Sequence, residues 1–404
     1  MDLKILYGER ANLAEQEKRF DFIADVFEKA ENCKPEYFFS SSGRAEILGN
    51  HTDHNHGKVM VAAISCDIVA AVKKTNDNII KICSVGYPAL TVDINSTEVD
   101  PKEYGSSLAL TKGIANKLKE MGYSFGGFTA HTNSNIFKGA GVSSSAAFEV
   151  LVCEIINKLY LNGVLDEVTK AVISQYSENV YFGKPCGLLD QSGISIGSLT
   201  KLDFNEPTKP VITKLVPPKG YSLVITNTGG NHAALTPHYA AIRVEMEEVA
   251  SFFGKKVLRE VDYDTFINSV DQLKEKFSGR AILRALHFFN ENKRVDDAQK
   301  ALESGDTKAF LDAVNASGIS SLNMLQNCYV PGDVEQPVVL GIEVSRQIIK
   351  DGAVRVHGGG FAGSIIAFVS EAEVNDYAEY MKKVFGKDNV FIADIRMVGT
   401  TFVK

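Results

Sequence analysis

The chain has 404 residues, 45% of them hydrophobic and 23% charged, with a net charge of −7. That length accommodates a sizeable core and two or three domains. The acidic balance, without a run of five or more like charges, excludes the general basic footprint of a nucleic-acid binder.

The six cysteines form no C-x-x-C pair and are too sparse for a disulfide scaffold, so they read as reduced thiols of a cytoplasmic protein. The N-terminus, MDLKILYGERANLAEQEKRF, is mixed and charged and lacks the apolar core of a signal peptide. The longest apolar stretch, Val59 to Val72, is interrupted by Ser65 and Asp67, is too short to span a bilayer and reads as buried strand. No membrane or nucleic-acid partner is expected.

Residues 11–31 predict an amphipathic helix, with Phe20, Ile23, Val26 and Phe27 at helical spacing. Residues 36–100 read mostly as strands: YFFS, KVMVAAISCDIVAAVK, NIIKICSV and ALTVDI. A helix over 107–121, the strand FGGFTAHTNSNI and helices over 144–160 and 164–182 follow.

Prolines 207, 210, 217 and 218 mark 205–220 as the domain junction, dividing the chain into lobes 1–205 and 206–404. Beyond it, YSLVITNT reads as a strand, and Thr236–Pro237 starts a helix with threonine as N-cap. The C-terminal order α-β-β-α-β is that of a split β-α-β, ferredoxin-like unit, in an α+β protein of two lobes.

Three segments carry chemistry. Residues 139–147, GAGVSSSAA, place a glycine–serine loop between a predicted strand and a predicted helix. Glycine permits close backbone approach, and free N–H groups at a helix start attract anions. A serine there could ligate Mg²⁺. The alternative is a serine-capped helix after a turn, and no Walker A loop occurs in the chain.

Residues 357–363, HGGGFAG, contain G-x-G-x-x-G, but the strand-like SIIAFV follows, which argues against a dinucleotide site. Residues 43–57, GRAEILGNHTDHNHG, are dense in polar groups. Nothing completes a metal ligand set there, so recognition of a polyol fits better, beside the plain alternative of a solvated turn. A fourth constellation pairs Glu178 with Asp190 in PCGLLDQ. An acidic residue in such an apolar stretch needs a cationic partner, and a cap or salt bridge is its ordinary role.

Together and in this order, these motifs resemble those of the GHMP kinase family and, within it, the galactokinases. GRAEILGNHTDHNHG is similar to the signature GR-x-N-L-I-G-E-H-T-D-Y. GAGVSSSAAFEV resembles the family's phosphate loop and HGGGFAG its C-terminal glycine motif. ENVYFGKPCGLLDQ resembles the segment around the catalytic aspartate, and VITNTGG…HYAAIR the region with a sugar-binding tyrosine.

The resemblance implies an N-terminal lobe like ribosomal protein S5 domain 2 and a ferredoxin-like C-terminal lobe. It implies transfer of phosphate from ATP, with Mg²⁺, to the C1 hydroxyl of D-galactose, in a protein expected to be a monomer. Asp190 would accept the hydroxyl proton and Arg44 would stabilise the transition state. Asn50, His51, Thr52, Asp53 and Tyr239 would bind sugar. Ser84 and Gly139, Ala140, Gly141, Val142, Ser143, Ser144 and Ser145 would bind nucleotide, and Ser145 and Glu178 would ligate the metal.

Departures from the pattern include Asn50 for the signature glutamate, His54 for its tyrosine and Ser42 for a proline; His357 and Ala362 replace a threonine and a glycine. Asn50 leaves room for a related sugar such as N-acetylgalactosamine, galacturonate or arabinose. A sensing regulator without catalysis would lack part of the phosphate loop or the aspartate, and both are complete here.

Overall fold

The computed structural model describes residues 1–8, 10–136, 141–230 and 235–404. Strands β1 (Tyr37–Leu48), β2 (Lys58–Lys74), β3 (Ile79–Ser84), β4 (Leu90–Asp93), β5 (Phe128–Ser134), β6 (Leu199–Asp203) and β7 (Val211–Leu215) precede β8 (Tyr221–Gly229), β9 (Gly352–His357), β10 (Gly363–Ser370), β11 (Val390–Ala393) and β12 (Thr401–Phe402).

Two sheets organise them. The larger runs β12-β1-β2-β5-β3-β4, with β6 joining β2 and β7 joining β6. Its pairs are antiparallel except β3 with β5, which are parallel. β2 is buried along most of its 17 residues. The continuous apolar run noted in the sequence is therefore a strand covered on both faces, as a central strand requires.

The smaller sheet runs β11-β8-β10-β9. With helices Pro337–Ile348 and Val374–Phe385 it completes the expected ferredoxin-like unit, whose first strand is β8.

Two pairings cross the junction drawn from the prolines. β7 lies beyond residue 205 but pairs with β6, and β12, at the chain's end, pairs with β1. The C-terminal tail thus returns to the first sheet, reinforced by a bridge between Ile64 and Ile395. The helix Thr236–Phe252 starts one residue before the predicted position: Thr236 is its first helical residue and Leu235, which makes no side-chain capping bond, takes the N-cap.

The helix Ser144–Tyr160 begins and ends where the periodicity puts it and is largely buried. Two irregularities in β1, at Ser42/Gly43 and at Glu46/Leu48, flank Arg44. Such bulges re-aim side chains along a strand. β1 leads into the turn that carries Asn50 to Asn55, so one strand delivers both the arginine and the polar turn.

Candidate active site

Arg44 is almost wholly buried, and its Nε donates to Asp190 Oδ1 over 2.7 Å. Asp190 sits in the first turn of the helix Leu189–Ile196, which leaves part of its carboxylate open. Ser143 Oγ donates to the other oxygen, Asp190 Oδ2. Arg44 also donates from its guanidinium to the Gly141 carbonyl, and its backbone N–H to Val142 O over 3.2 Å.

The carboxylate, the guanidinium and the glycine–serine turn therefore form one cluster, with the cationic partner that Asp190 required. Burial alone would raise the Asp190 carboxyl. The Arg44 charge and hydrogen bond, helped by Ser143, outweigh it and hold the pKa below the usual carboxylate value.

Ser143 occupies left-handed backbone (φ 59) and makes no capping bond to its own helix. A non-glycine residue in that region is uncommon. The hydroxyl that would ordinarily cap the helix Ser144–Tyr160 is given to Asp190 instead, leaving that helix start's N–H groups for another acceptor. Val142 is buried and Ser144 exposed. Gly139 and Ala140 lie outside the described residues.

The third glycine motif closes on the same place. A side chain at Gly358 would come within 3.7 Å of Gly141 O and 4.0 Å of the Arg44 guanidinium, and one at Gly359 within 2.6 Å of the Tyr239 ring. Tyr239 donates its hydroxyl to Gly360 O over 3.0 Å and packs edge-on against Phe361. The glycines permit this approach, and the motif is no dinucleotide fingerprint: β10 follows it.

The polar turn divides in two. Thr52 is fully buried, with its hydroxyl bonded to the carbonyls of Gly49 and Lys58. Asn50 is fully buried too. Its Nδ2 donates to Glu46 Oε1 and Gly358 O, each over 2.7 Å, while its Oδ1 accepts from Asn327 and Ser321. Those two side chains are engaged within the protein.

His51 and Asp53 remain partly exposed. His51 Nε2 lies 3.0 Å from Gly359 O, and burial lowers its pKa to about 4. Burial, then the neighbouring charge of Asp190, raises Asp53 to about 6. Gly187, in the segment leading to Asp190, leaves no room for a side chain because Asp53 fills it.

Ser145 Oγ stands 3.4 Å from Glu178 Oε1. Glu178 is buried, receives Gln191 Nε2 at 2.7 Å and pairs with Lys184 at 3.1 Å. Glu149, fully buried, shares the same Gln191 nitrogen at 3.1 Å, and among the described residues its Oε1 has no hydrogen-bond partner. Burial and the Glu178 charge push Glu149 well above the usual carboxylate value. Two buried carboxyl groups joined through Gln191, with a serine hydroxyl and one lysine beside Glu178, form an oxygen donor set that fits Mg²⁺. Ser84 ends β3, where it accepts from Thr132 Oγ1 over 2.8 Å, and among the described residues no recorded hydrogen bond ties it to this cluster.

Several residues here were not singled out in the sequence. Gln191 and Lys184 lie in the aspartate segment, and Glu46 lies in the first motif. Their signal was proximity to the motifs. Glu149 likewise lies in the phosphate-loop segment, whereas Asn327 had none.

Comparison with known proteins identifies the family. The galactokinase galactose-binding signature matches residues 25–74, and the GHMP kinases N-terminal domain matches 109–198. The galactokinase of Streptomyces coelicolor is 30% identical over 90% of this chain and 92% of its own. That of Lacticaseibacillus casei is 30% identical over 89% and 93%.

Among solved structures, Lactococcus lactis galactokinase complexed with galactose is 25% identical with a TM-score of 0.83, over 95% of this chain and 99% of that one. The mevalonate kinase of Methanococcus jannaschii shares the fold at 15% identity and a TM-score of 0.62, over 89% of this chain and 98% of its own. By its sequence relatives, its fold and its motifs, the chain belongs to the galactokinase family of GHMP kinases.

Proposed function

We propose that this enzyme transfers the terminal phosphoryl group of ATP to the C1 hydroxyl of D-galactose, giving galactose 1-phosphate and ADP. The observation that carries the reading is the meeting of Asp190 with Arg44 and Ser143 beside the Gly141 turn. Phosphoryl transfer passes through a loose transition state, so catalysis rests on positioning and on stabilising charge.

Asp190, held ionised by Arg44, orients the sugar hydroxyl and accepts its proton. The anomeric hydroxyl is the most acidic on a sugar, so a carboxylate of low basicity suffices. Arg44 and the N–H groups at the start of the helix Ser144–Tyr160 stabilise the charge growing on the phosphate oxygens. Lys184, beside Glu178, adds a second cation on that side.

Ser145 and Glu178 would hold Mg²⁺, which supplies neutralisation of the nucleotide phosphates when bound. Asp53, His51 and Tyr239 supply the polar contacts for the sugar, while Asn50 and Thr52 shape the turn that presents them. Ser84, at the rim of the first sheet, is assigned to the nucleotide.

The free thiols fit a reducing, cytosolic setting. No helix among the described residues is long and apolar enough to cross a membrane. The test is ATP consumption across a panel of galactose, its C2-acetamido and C6-oxidised analogues, arabinose and glucose. Galactose should be turned over with the highest kcat/KM; preference for any other sugar, or no turnover, would overturn the reading.

A further inference from the structure

On the first lobe, away from the Asp190 cluster, Cys83 and His131 stand directly opposite each other in the parallel ladder of β3 and β5. Directly paired residues present their side chains on one face of a sheet. Glu31, the last residue of the helix Leu13–Glu31, reaches the same point. A thiol, an imidazole nitrogen and a carboxylate oxygen are thereby collected within 4.8 Å of one another. The next ladder pair, Ser84 and Thr132, projects from the opposite face, so the cluster backs onto the strand ends assigned above to the nucleotide.

We propose that Cys83, His131 and Glu31 form a binding site for a borderline-soft divalent cation of the zinc class. The donor set selects the ion. Thiolate with imidazole favours Zn²⁺ over Mg²⁺ or Ca²⁺, which take oxygen. A tetrahedral zinc site holds its ligand atoms roughly 3.5 Å apart. Glu31 Oε1 and His131 Nε2 are already 2.9 Å apart, so side-chain rotation is enough to seat the ion. His131 is nearly buried and braced edge-on by Phe27, whereas Glu31 and Cys83 are half-buried. Three protein ligands on a partly open face leave a fourth position for water or a small ligand.

The positive partner of Glu31 on the strand is Lys81, with Nζ at 2.8 and 3.2 Å from its two oxygens. The Lys81 side chain is 39% exposed. An ion pair this open is weak, and its long stem can withdraw into solvent when a cation replaces it. Lys81 is therefore the competitor of the metal. That separates a metal site from a salt-bridged cluster: removing Lys81 strengthens the first and does nothing for the second.

The experiment titrates the full-length protein with Co²⁺, in excess Mg²⁺ to occupy the phosphate site, and follows the thiolate-to-cobalt absorbance. One equivalent should bind. C83S should abolish the band, H131Q should weaken binding at least about tenfold, and K81A should tighten it. No thiolate band in the wild type, a band that survives C83S, or K81A binding no tighter would overturn the proposal. A readout free of variants is alkylation by iodoacetamide mapped by mass spectrometry. Zn²⁺ should slow labelling of Cys83 at least about tenfold, and an unchanged rate would overturn it too.

Discussion

Glu46 and Asn50 are hydrogen-bonded to each other in the interior, Asn50 Nδ2 donating to Glu46 Oε1 over 2.7 Å. In the signature that this segment resembles, asparagine stands at the first position and glutamate at the second. The chain carries the same two side-chain types exchanged. The carboxylate at position 46 is gripped by the buried Arg355 at 3.1 Å, and Arg355 also donates to Ile47 O at 2.8 Å. The amide at position 50 ties the turn to Gly358, Asn327 and Ser321.

The exchange predicts strong coupling between the two positions. Asn50→Glu alone would set a second buried carboxylate against Glu46, with Arg355 to share and Arg44 already paired with Asp190, and a buried uncompensated charge costs about 3 kcal/mol or more. The double exchange, E46N with N50E, keeps one carboxylate and one amide and should recover most of that loss. Urea unfolding of the two singles and the double measures the coupling. A stable N50E single variant would show that the positions are independent. The double variant's KM for galactose then reports whether the displaced carboxylate matters to the sugar.

The contributions of Glu46 and Asp53 to stability should fall as pH rises through the mildly acidic range, against the opposite contribution of His51, whose lowered pKa favours the folded chain as pH rises. Burial raises Glu46 from 4.5 to about 7 and Asp53 from 3.8 to about 6. Both folded-state values lie above the unfolded ones, so the folded chain holds protons that the unfolded chain has released. The penalty is absent below about pH 4, grows as the unfolded groups ionise, and levels off near pH 7. For Glu46 the whole effect is about 3 kcal/mol. Glu46→Gln keeps an acceptor for Asn50 and should flatten this dependence in denaturant melts between pH 4 and pH 8. An unaltered slope would mean that Glu46 is ionised throughout.

Much of this was legible in local sequence. The helix Ser144–Tyr160 followed from its period, β2 from its apolar run, and the need of Asp190 for a cationic partner from the cost of an unpaired acid in an apolar segment, while Arg44 as that partner was implied only by the family resemblance. What failed were the long-range relationships. β7 and β12 were assigned by position to the second lobe, but their hydrogen-bond partners lie in the first sheet. The Glu46–Arg355 pair joins residues 309 apart. Each lies in or beside a motif, but nothing in either local sequence points to the other. Thr236 has the chemistry of an N-cap, but the helix takes Leu235 there instead, one residue after a segment outside the described structure.

Gly187→Ala should damage the sugar side of the site more than the fold. The added methyl would collide with the Asp53 carboxylate, which is only partly exposed and must move. Displacing a contact residue raises KM, and a shift of about 1 Å in a positioned group can cost about a hundredfold in rate. Galactose KM should rise by about tenfold or more while KM for ATP stays within about twofold. Equal changes in both would move Asp53 out of the sugar site.

Asp190→Asn and Arg44→Ala would separate the proposed base from the group proposed to tune it. The amide of the first variant would keep the shape and lose the proton acceptor, which should lower kcat by about 10² to 10⁴. Near-normal turnover would end the assignment. Arg44→Ala leaves the carboxylate in place but removes the charge that offsets its burial, so the Asp190 pKa should rise. Asp190 must be ionised to act, so the acid limb of kcat should move to higher pH in this variant, and part of the lost rate should return in alkaline buffer. A limb that stays put while kcat falls would make Arg44 a stabiliser of phosphate charge alone. A limb that moves without loss at its plateau would make it solely the keeper of the Asp190 charge.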